Sequence, residues 1–265
     1  MKNDDALITV IMGIYNSYEK KELIKSLNSI KNQSFTQWKC IICDDASIDD
    51  TVEFLEKFIK DDKRFILIKN ELNMGLGYSL NKALEKVETK YVIRQDADDY
   101  SREDRFQKLY DYMENHKNID VLGSGMTLFD KQGKWGSYKI RSHSIKKDDF
   151  LLGTVVAHPS VIMKTESLRN NGGYRISWET RRCEDYDLFM RMFKNKCNIA
   201  NIDDELYFYF SNREGTKRKF INVIKECVVR YKGFKNLGMG VKKWIYTAKP
   251  LIVYVFPNRL LKKLK

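Results

Sequence analysis

The chain has 265 residues, 43% of them hydrophobic and 12% aromatic, which excludes an intrinsically disordered protein and supports a full core. It has no signal-peptide leader and no apolar run of the roughly 18 residues that span a membrane, so we expect a cytoplasmic protein. The net charge is +12, but residues 217–265 hold fourteen Lys or Arg and one Glu. The near-neutral remainder argues against a main domain that binds nucleic acid.

Strands and helices are predicted to alternate through the first hundred residues. Residues 7–14 are apolar and rich in β-branched side chains, which is typical of a strand buried on both faces of a parallel sheet. The spacing of Leu23, Leu27 and Ile30 predicts a helix over 19–32. Further strands are predicted over 38–43 and 65–69 and from residue 91, and further helices over 51–59 and 78–87. Short links between these elements indicate right-handed βαβ units on a parallel sheet.

The alternation stops beyond the fourth strand. The pattern there predicts a helix over 102–116, strands over 119–130 and 134–140, a short helix over 145–152, a strand over 160–164, a loop over 169–180, a helix over 184–194, and strands near 199–202 and 206–210. No repeat or Pro/Gly-rich linker interrupts it. We therefore predict one α/β domain over 1–212, with a mostly parallel, Rossmann-like sheet flanked by helices, and a basic helical extension over 213–265.

Polar residues follow the predicted parallel strands at the point where each strand ends. Tyr15, Asp45, the loop around Gly75 and the acidic turn 96–99 all occupy such positions. Ligands of parallel sheets bind at the carboxyl ends of the strands. This convergence predicts a ligand site at that edge.

The acidic turn holds Asp96, Asp98 and Asp99 within four positions. Carboxylates this close repel one another unless a cation lies between them, and oxygen ligands suit Mg²⁺ or Mn²⁺. The alternative is an acidic turn that caps the next helix, since Ser101 and Asp104 have the spacing of a capping box.

Asp45 and Tyr15 could bind a nucleobase. The Asp45 carboxylate can accept a hydrogen bond from a ring N–H, and Tyr15 offers a flat face for stacking. Alternatively, Asp45 caps the following helix. The glycines of residues 75–77 are not a dinucleotide fingerprint, because Leu80 stands where the third glycine would be. Gly75 then belongs either to a loop that approaches a nucleotide closely or to a plain turn.

Glu184 and Asp185 open a predicted helix behind a loop that contains Arg181 and Arg182. A carboxylate there could act as a general base, although the spacing alone favours an N-terminal cap. His158 is by itself more typical of a hydrogen-bonded structural histidine than of a ligand or base.

Cys40 and Cys43 have the spacing of a redox or zinc pair. They lie inside an apolar strand, however, where positions three apart point to opposite faces. We therefore interpret both as core thiols rather than as a metal or redox site.

Taken together and in order, five segments resemble family 2 glycosyltransferases: residues 10–16 (VIMGIYN), 43–49 (CDDASID), 73–75 (NMG) with 81–83 (NKA), 96–99 (DADD) and 184–188 (EDYDL). The likeness extends over roughly residues 7–191. It implies a glycosyltransferase A-type fold and an inverting transfer from a nucleotide-diphosphate sugar with a divalent metal, Mn²⁺ or Mg²⁺.

The resemblance also implies roles for individual residues. Tyr15 would stack on the base, Asp45 would bind uracil N3, and Asp185 would be the catalytic base. Asp98 or Asp99 would contact the ribose and the metal. The residues expected to bind substrate are Tyr15, Asn16, Asp45, Gly75, Asp98, His158 and Glu184, and those expected at the metal are Asp96, Asp98 and Asp99.

The chain departs from the family pattern in two places. Gly13 stands where the family often carries Pro or Thr, and no Gln-x-x-Arg-Trp element follows residue 185, as it does in processive synthases. That absence favours the addition of one sugar. The segments 157–161 (AHPSV) and 186–191 (YDLFMR) are similar to bacterial enzymes that build O-antigen or capsule repeat units. Among these are galactosyl- and glucosyltransferases that act on N-acetylglucosaminyl-diphospho-undecaprenol.

The C-terminal extension mixes cations with aromatic and apolar residues over 242–246, 251–256 and 258–265. This composition is typical of a segment lying in a membrane interface, where each basic residue gains about 1 kcal/mol near anionic lipid. We therefore expect a peripheral protein on the inner leaflet, beside a lipid-diphosphate acceptor. The alternative is a basic helix packed on the domain.

Two other classes of protein remain open. A nucleotidyltransferase could use a similar sheet and acidic site, but it usually carries a Gly-rich, basic loop after the first strand, and residues 14–18 (IYNSY) are not one. A non-catalytic protein that binds membranes would need the extension but not the carboxylates.

Overall fold

The computed structural model describes residues 5–18, 21–138, 140, 143–214 and 218–255. These residues form a nine-stranded sheet with helices on both faces. The strands are β1 (Ile8–Ile14), β2 (Trp38–Asp44), β3 (Phe65–Lys69), β4 (Tyr91–Arg94), β5 (Tyr100–Ser101), β6 (Val121–Asp130), β7 (Gly133–Tyr138), β8 (Ile162–Lys164) and β9 (Ile199–Phe210). The α-helices are α1 (Lys21–Lys31), α2 (Thr51–Ile59), α3 (Leu76–Glu85), α4 (Arg105–Asn115), α5 (Thr165–Asn170), α6 (Glu184–Lys194), α7 (Phe220–Asn236) and α8 (Lys249–Val255). Among the described residues, 3₁₀ helices span Lys147–Leu152, His158–Ser160 and Val241–Thr247.

The sheet has a parallel half and a mixed half. Strands β3, β2, β1 and β4 lie side by side in that order and are parallel, so their carboxyl ends meet at one edge. Beyond β4 come β8, β6, β9 and β5, and β7 pairs with β6. Strand β8 is antiparallel to both β4 and β6. The α/β fold and the mostly parallel first half confirm the prediction from the alternating pattern.

The second half differs from the predicted elements in a few places. The strands predicted near 199–202 and 206–210 are one strand, β9, which crosses an irregularity opposite Gly125. A Cβ at Gly125 would lie 2.8 Å from the carbonyl oxygen of Asp203, so only glycine lets β9 continue past it. Helix α5 and strand β5 were not predicted, because elements of six and two residues are too short to show a period.

Apolar side chains cover both faces of the sheet. One face packs against α1 and α4 through Leu27, Phe106 and Leu109. The other face packs against α3, α6 and α7. Cys40 and Cys43 are buried on opposite faces and neither forms a disulfide, which confirms that they are core thiols.

Helix α7 belongs to this core, although the sequence placed it in a separate extension. Val229 and Phe234 are buried in the same apolar cluster as α6. Arg230 is only 2% exposed, because it pairs with Glu226 and donates to the carbonyl of Leu151. The predicted boundary between residues 212 and 213 therefore does not separate two cores. Helix α7 fits the alternative, a basic helix packed on the domain.

Helix α8 folds back on α7, and the rings of Tyr254 and Phe220 lie 5.6 Å apart. The basic end predicted over 258–265 lies outside the described residues. Within the part of the chain that the structure describes, no helix has the length and apolar character needed to cross a membrane.

Candidate active site

A cavity of about 380 Å³ opens at the carboxyl edge of the parallel strands. Four of the predicted residues line it, namely Tyr15 after β1, Asp45 after β2, Gly75 before α3 and Glu184 at the start of α6. Asp98, Asp185 and His158 do not line this cavity. The structure therefore brings Tyr15 and Asp45, the residues assigned to the base, to one cavity, whereas Asp98, assigned to the ribose and the metal, does not line it.

The Asp45 side chain is buried and holds the loop that precedes α3. One carboxylate oxygen accepts from the amide of Asn70 at 2.8 Å and from the N–H of Met74 at 2.9 Å, and the other accepts from the N–H of Gly75 at 2.7 Å. A carboxylate offers about four acceptor positions. Asp45 thus shapes the cavity wall and can still accept one more hydrogen bond.

Asn16 joins the loop after β1 to the loop after β2. Its N–H donates to the hydroxyl of Ser47 at 2.9 Å, and its side-chain oxygen accepts from the N–H of Ile48 at 2.9 Å. The backbone of Asn16 is left-handed, with φ 45°. This arrangement fixes the position of Tyr15, which is 42% exposed and lies in the cavity wall.

Gly13 departs from the family pattern for a packing reason. A Cβ at position 13 would lie 2.8 Å from the Cδ1 atom of Leu76, so Leu76 fills the space that a Pro or Thr side chain would take. Gly75 has φ 91°, a conformation open mainly to glycine, and it turns the chain into α3 beside Asp45.

The three carboxylates of the acidic turn have different surroundings. Asp96 pairs with the buried Arg94 at 2.5 Å. Asp99 is 1% exposed and accepts from the N–H of Phe210 at 2.6 Å, while its other oxygen has no hydrogen-bond partner among the described residues. Burial, followed by the charges of Asp96 and Asp98, holds the pKa of Asp99 well above its usual range. Asp98 is exposed at the tip of the turn.

Side chains that the sequence analysis did not single out hold this turn in place. Arg105 is fully buried and donates to Gln95 at 2.9 Å and to the carbonyl of Arg94 at 2.8 Å. Gln95 donates to the carbonyl of Asp99, and the hydroxyl of Tyr207 accepts from the N–H of Asp96 at 3.0 Å. An arginine at the end of an otherwise apolar strand was the signal available for Arg94, since buried charges require partners.

The donor set of this turn suits a hard divalent cation. Within the described ranges, however, no three His, Cys, Asp or Glu side chains converge as a complete metal cage. Mg²⁺ commonly takes only one or two carboxylates from the protein and completes its shell with water and substrate phosphate. The exposed Asp98, with Asp96 next to it, fits a cation held in this way. Asp99 is buried and already bonded to β9.

Asp185 lies in the first turn of α6 and is partly buried. Burial raises the pKa of its carboxyl from 3.8 to about 6, and the charge of Glu184 acts in the same direction. The N–H groups of the helix terminus oppose this shift. A carboxylate whose pKa lies close to neutrality is well suited to take a proton from a hydroxyl group.

Tyr209 on β9 lies near both the acidic turn and Asp185. It is 36% exposed and lies on the same strand face as Tyr207, which contacts the turn through Asp96. Burial raises the pKa of Tyr209 to about 12, and the charges of Asp99, Asp96, Asp98 and Asp185 add to this rise. The acidic turn follows the carboxyl end of β4, and Asp185 adjoins Glu184 of the cavity wall, so both lie at the same edge of the sheet.

His158 is held by two aromatic side chains, Tyr174 and Phe189. Its Nε2 atom is 2.8 Å from the hydroxyl of Tyr174, and its ring packs against Phe189. Burial, and then the charge of Arg94, lowers its pKa well below the usual range. These contacts fit the structural role that the sequence favoured for His158. Its role in substrate binding stays a prediction.

Comparison with family models matches residues 9–172 to Glycosyl transferase family 2, which is more than half of the chain. The chain belongs to this family. The glycosyltransferase shares 33% identity over 263 residues with EpsE of Bacillus subtilis, which is named as a glycosyltransferase, and the match covers 98% of this chain and 94% of EpsE. It is also 30% identical over 230 residues to the UDP-Gal:alpha-D-GlcNAc-diphosphoundecaprenol beta-1,3-galactosyltransferase of Escherichia coli, covering 83% and 79% of the two chains.

Solved structures share the fold of this family 2 glycosyltransferase. Residues 1–349 of TarS from S. aureus, in complex with UDP, superpose with a TM-score of 0.70 at 22% identity, over 95% of this chain and 73% of that one. The mannosyltransferase PcManGT of Pyrobaculum calidifontis, in complex with GDP-Man and Mn²⁺, gives 0.64 at 14% identity, over 97% and 79%. The glycosyltransferase A-type fold implied by the sequence motifs is therefore confirmed.

Proposed function

We propose that this glycosyltransferase moves one hexose, glucose or galactose, from a UDP-sugar to a sugar on a lipid diphosphate of the GlcNAc-diphospho-undecaprenol type. The product is a β-linked sugar in an O-antigen or capsular repeat unit. The observation that carries the proposal is that a cavity of about 380 Å³, the acidic turn after β4 and the first turn of α6, which holds Asp185, all lie at one edge of the sheet.

The cavity between Tyr15 and Asp45 offers the contacts that a uracil base requires. The Tyr15 ring gives a stacking surface, and the remaining acceptor position of Asp45 suits the N3–H of uracil. A related fold has been solved with UDP bound. The loop that contains Gly75 also lines this cavity, so its backbone would lie close to the nucleotide.

A divalent cation, Mn²⁺ or Mg²⁺, would be held by Asp98 with Asp96 beside it. When bound, it would supply positive charge against the diphosphate of the departing nucleotide. Arg94 fixes Asp96, and Gln95 and Arg105 fix the backbone of the turn, so the protein presents the carboxylates without rearrangement.

The chemical step is a single displacement at C1 of the donor sugar. The acceptor hydroxyl oxygen forms a bond to C1 from the face opposite the nucleotide, and Asp185 takes the proton of that hydroxyl. The bond between C1 and the β-phosphate oxygen breaks, and UDP leaves with the electron pair. One displacement inverts C1, so an α-linked donor gives a β-linked product.

The acceptor assignment draws on the sequence motifs and on one relative. The Escherichia coli galactosyltransferase is named for an acceptor of GlcNAc on diphosphoundecaprenol, and another relative, WbnJ of Escherichia coli, is named for O-antigen biosynthesis. An acceptor of this kind is anchored in a membrane, so the enzyme must work at the membrane surface.

Helix α8 is suited to that surface. Ile252, Val253 and Val255 are 43%, 39% and 62% exposed, although a helix that is apolar all round is normally buried. Lys242 precedes this helix, Lys249 is its first residue, and the sequence after it adds Arg259, Lys262, Lys263 and Lys265. Exposed apolar and aromatic groups among cations are the composition of an interfacial segment.

We expect the double change Ile252→Glu with Val253→Glu to lower binding to anionic vesicles at least about tenfold. It replaces apolar side chains by negative charges, which anionic lipid repels. Flotation with phosphatidylglycerol vesicles would measure this, with phosphatidylcholine vesicles as the uncharged comparison. Ile24→Glu, on the exposed face of α1, is the matched control. Equal flotation of wild type and the α8 variant would remove α8 as the anchor.

A panel of UDP-sugars, tested with a synthetic lipid-diphosphate GlcNAc acceptor, tests the reaction itself. We expect UDP release that depends on the acceptor and is greatest with UDP-glucose or UDP-galactose. Formation or use of pyrophosphate would indicate a nucleotidyltransferase instead. Absence of both UDP and pyrophosphate, for a folded protein that still binds vesicles, would favour a non-catalytic membrane protein.

A further inference from the structure

Two arginines, Arg181 and Arg182, line the same cavity as Tyr15 and Asp45. Neither has a carboxylate within ion-pairing distance among the residues that the structure describes. Their neighbours differ in this respect, because Arg175 pairs with Glu179 and Asp187, and Arg191 pairs with Asp187. Two exposed guanidinium groups thus face a cavity without the partners that satisfy nearby arginines.

The loop that carries Arg181 and Arg182 is anchored by ion pairs and hydrogen bonds. Glu179 is 2% exposed and binds both Arg175 and Lys232, the latter at 2.6 Å. The hydroxyl of Thr180 donates to the carbonyl of Arg175 at 2.6 Å, and the N–H of Cys183 donates to the carbonyl of Thr180 at 2.6 Å. The backbone around the two arginines is therefore fixed rather than loosely attached.

The two arginines have different surroundings within the cavity. Arg181 reaches the loop that binds Asp45, since its Nη2 atom is 3.4 Å from the side-chain oxygen of Asn73 and its Nε would be 3.5 Å from a Cβ at Gly75. Arg182 has a left-handed backbone, with φ 78°. Side chains other than glycine adopt this conformation rarely, so the backbone at Arg182 is held in place by its surroundings.

We propose that Arg181 and Arg182 form a clamp for the diphosphate of a nucleoside diphosphate sugar, with Arg182 as the main phosphate contact. The clamp rests on the proposed function, because it assumes that a nucleotide occupies this cavity. A guanidinium group matches phosphate oxygens with two parallel N–H donors. The clamp lies on the α6 side of the cavity and does not involve the acidic turn. It therefore contributes positive charge even without a metal.

Calorimetric titration of uridine, UMP and UDP against the full chain tests this, both with Mn²⁺ and after treatment with EDTA. Arg182→Ala should weaken UDP binding by about tenfold, as expected for loss of one charge-assisted contact, and leave uridine binding unchanged. Arg182→Lys should recover part of the loss, and Arg181→Ala should have a smaller effect. Lys60→Ala, an exposed cation beyond α2 at the opposite edge of the sheet, is the control for net charge.

The outcomes separate the clamp from the proposed function. Unchanged UDP affinity in the Arg181→Ala, Arg182→Ala double variant would overturn the clamp alone. An equal loss for uridine and UDP would also overturn it, since it would show a role in shaping the base pocket. Failure of the wild-type protein to bind UDP or GDP at all would contradict the proposed function, and the clamp with it.

Discussion

Asp185→Asn should lower the rate of sugar transfer by about 10³-fold while UDP binding persists. Asn has nearly the same shape as Asp but cannot accept the proton of the attacking hydroxyl. Asp185 is not among the residues that line the cavity proposed for the nucleotide, so the substitution should leave nucleotide affinity intact. Transfer measured with a radiolabelled donor, together with calorimetric UDP affinity, would check both parts of this prediction.

The pH dependence of the wild-type enzyme provides a second measurement of the same group. The pKa of Asp185 is raised to about 6, and a general base must be ionised, so kcat/KM should fall as the pH drops through about 6. The Asn variant should lose this inflection. Near-normal turnover of Asp185→Asn, or an unchanged acid limb in its residual activity, would remove Asp185 from the role of base.

Stability is the control for this substitution. Because the folded-state pKa of Asp185 lies above its ordinary value of 3.8, ionisation of the group costs folding stability as the pH rises from about 4 to about 6. The neutral Asn avoids that cost at neutral pH. The variant should therefore melt at the same temperature as wild type or higher, so lost activity would not reflect unfolding.

Much of the parallel half of the fold could be predicted from the sequence. Continuous apolar runs such as 7–14 are typical of strands buried on both faces, and short links leave only right-handed crossovers. That topology fixes which ends of the strands meet. Tyr15, Asp45 and Gly75 could therefore be placed at a common cavity from their positions after strands.

Contacts between distant segments could not be predicted in this way. Arg94 and Arg105 support the acidic turn from within the core, and periodicity gives no sign of partners that lie across the sheet. Helix α7 carries many cations, yet its apolar side packs on α6, and only the tertiary structure shows which side is covered. Similarly, the spacing of the three turn carboxylates does not show that Asp99 is buried against β9.

The acidic turn leads to the second large effect that we expect, the loss of transfer when the cation is removed. EDTA should abolish activity, and Mn²⁺ or Mg²⁺ should restore it. Asp98→Ala should lower transfer by on the order of 10³-fold even in excess metal, because a cation on the diphosphate is worth several kcal/mol in the transition state. Asp98 is the exposed carboxylate of the turn, whereas Asp96 is partly buried and Asp99 is buried.

Nucleotide binding distinguishes loss of the metal ligand from damage to the fold. In wild type, Mn²⁺ should increase UDP affinity but not uridine affinity, and Asp98→Ala should abolish that increase while leaving uridine binding unchanged. Asp61→Ala, an exposed carboxylate at the opposite edge of the sheet, is the matched control and should behave as wild type. Full activity in chelator would refute the metal assignment. If an Asp98 variant kept the Mn²⁺-dependent increase in UDP affinity, another carboxylate of the turn would be the metal ligand. Asp96 would then be the next to test, because it is the other carboxylate that is at least partly exposed.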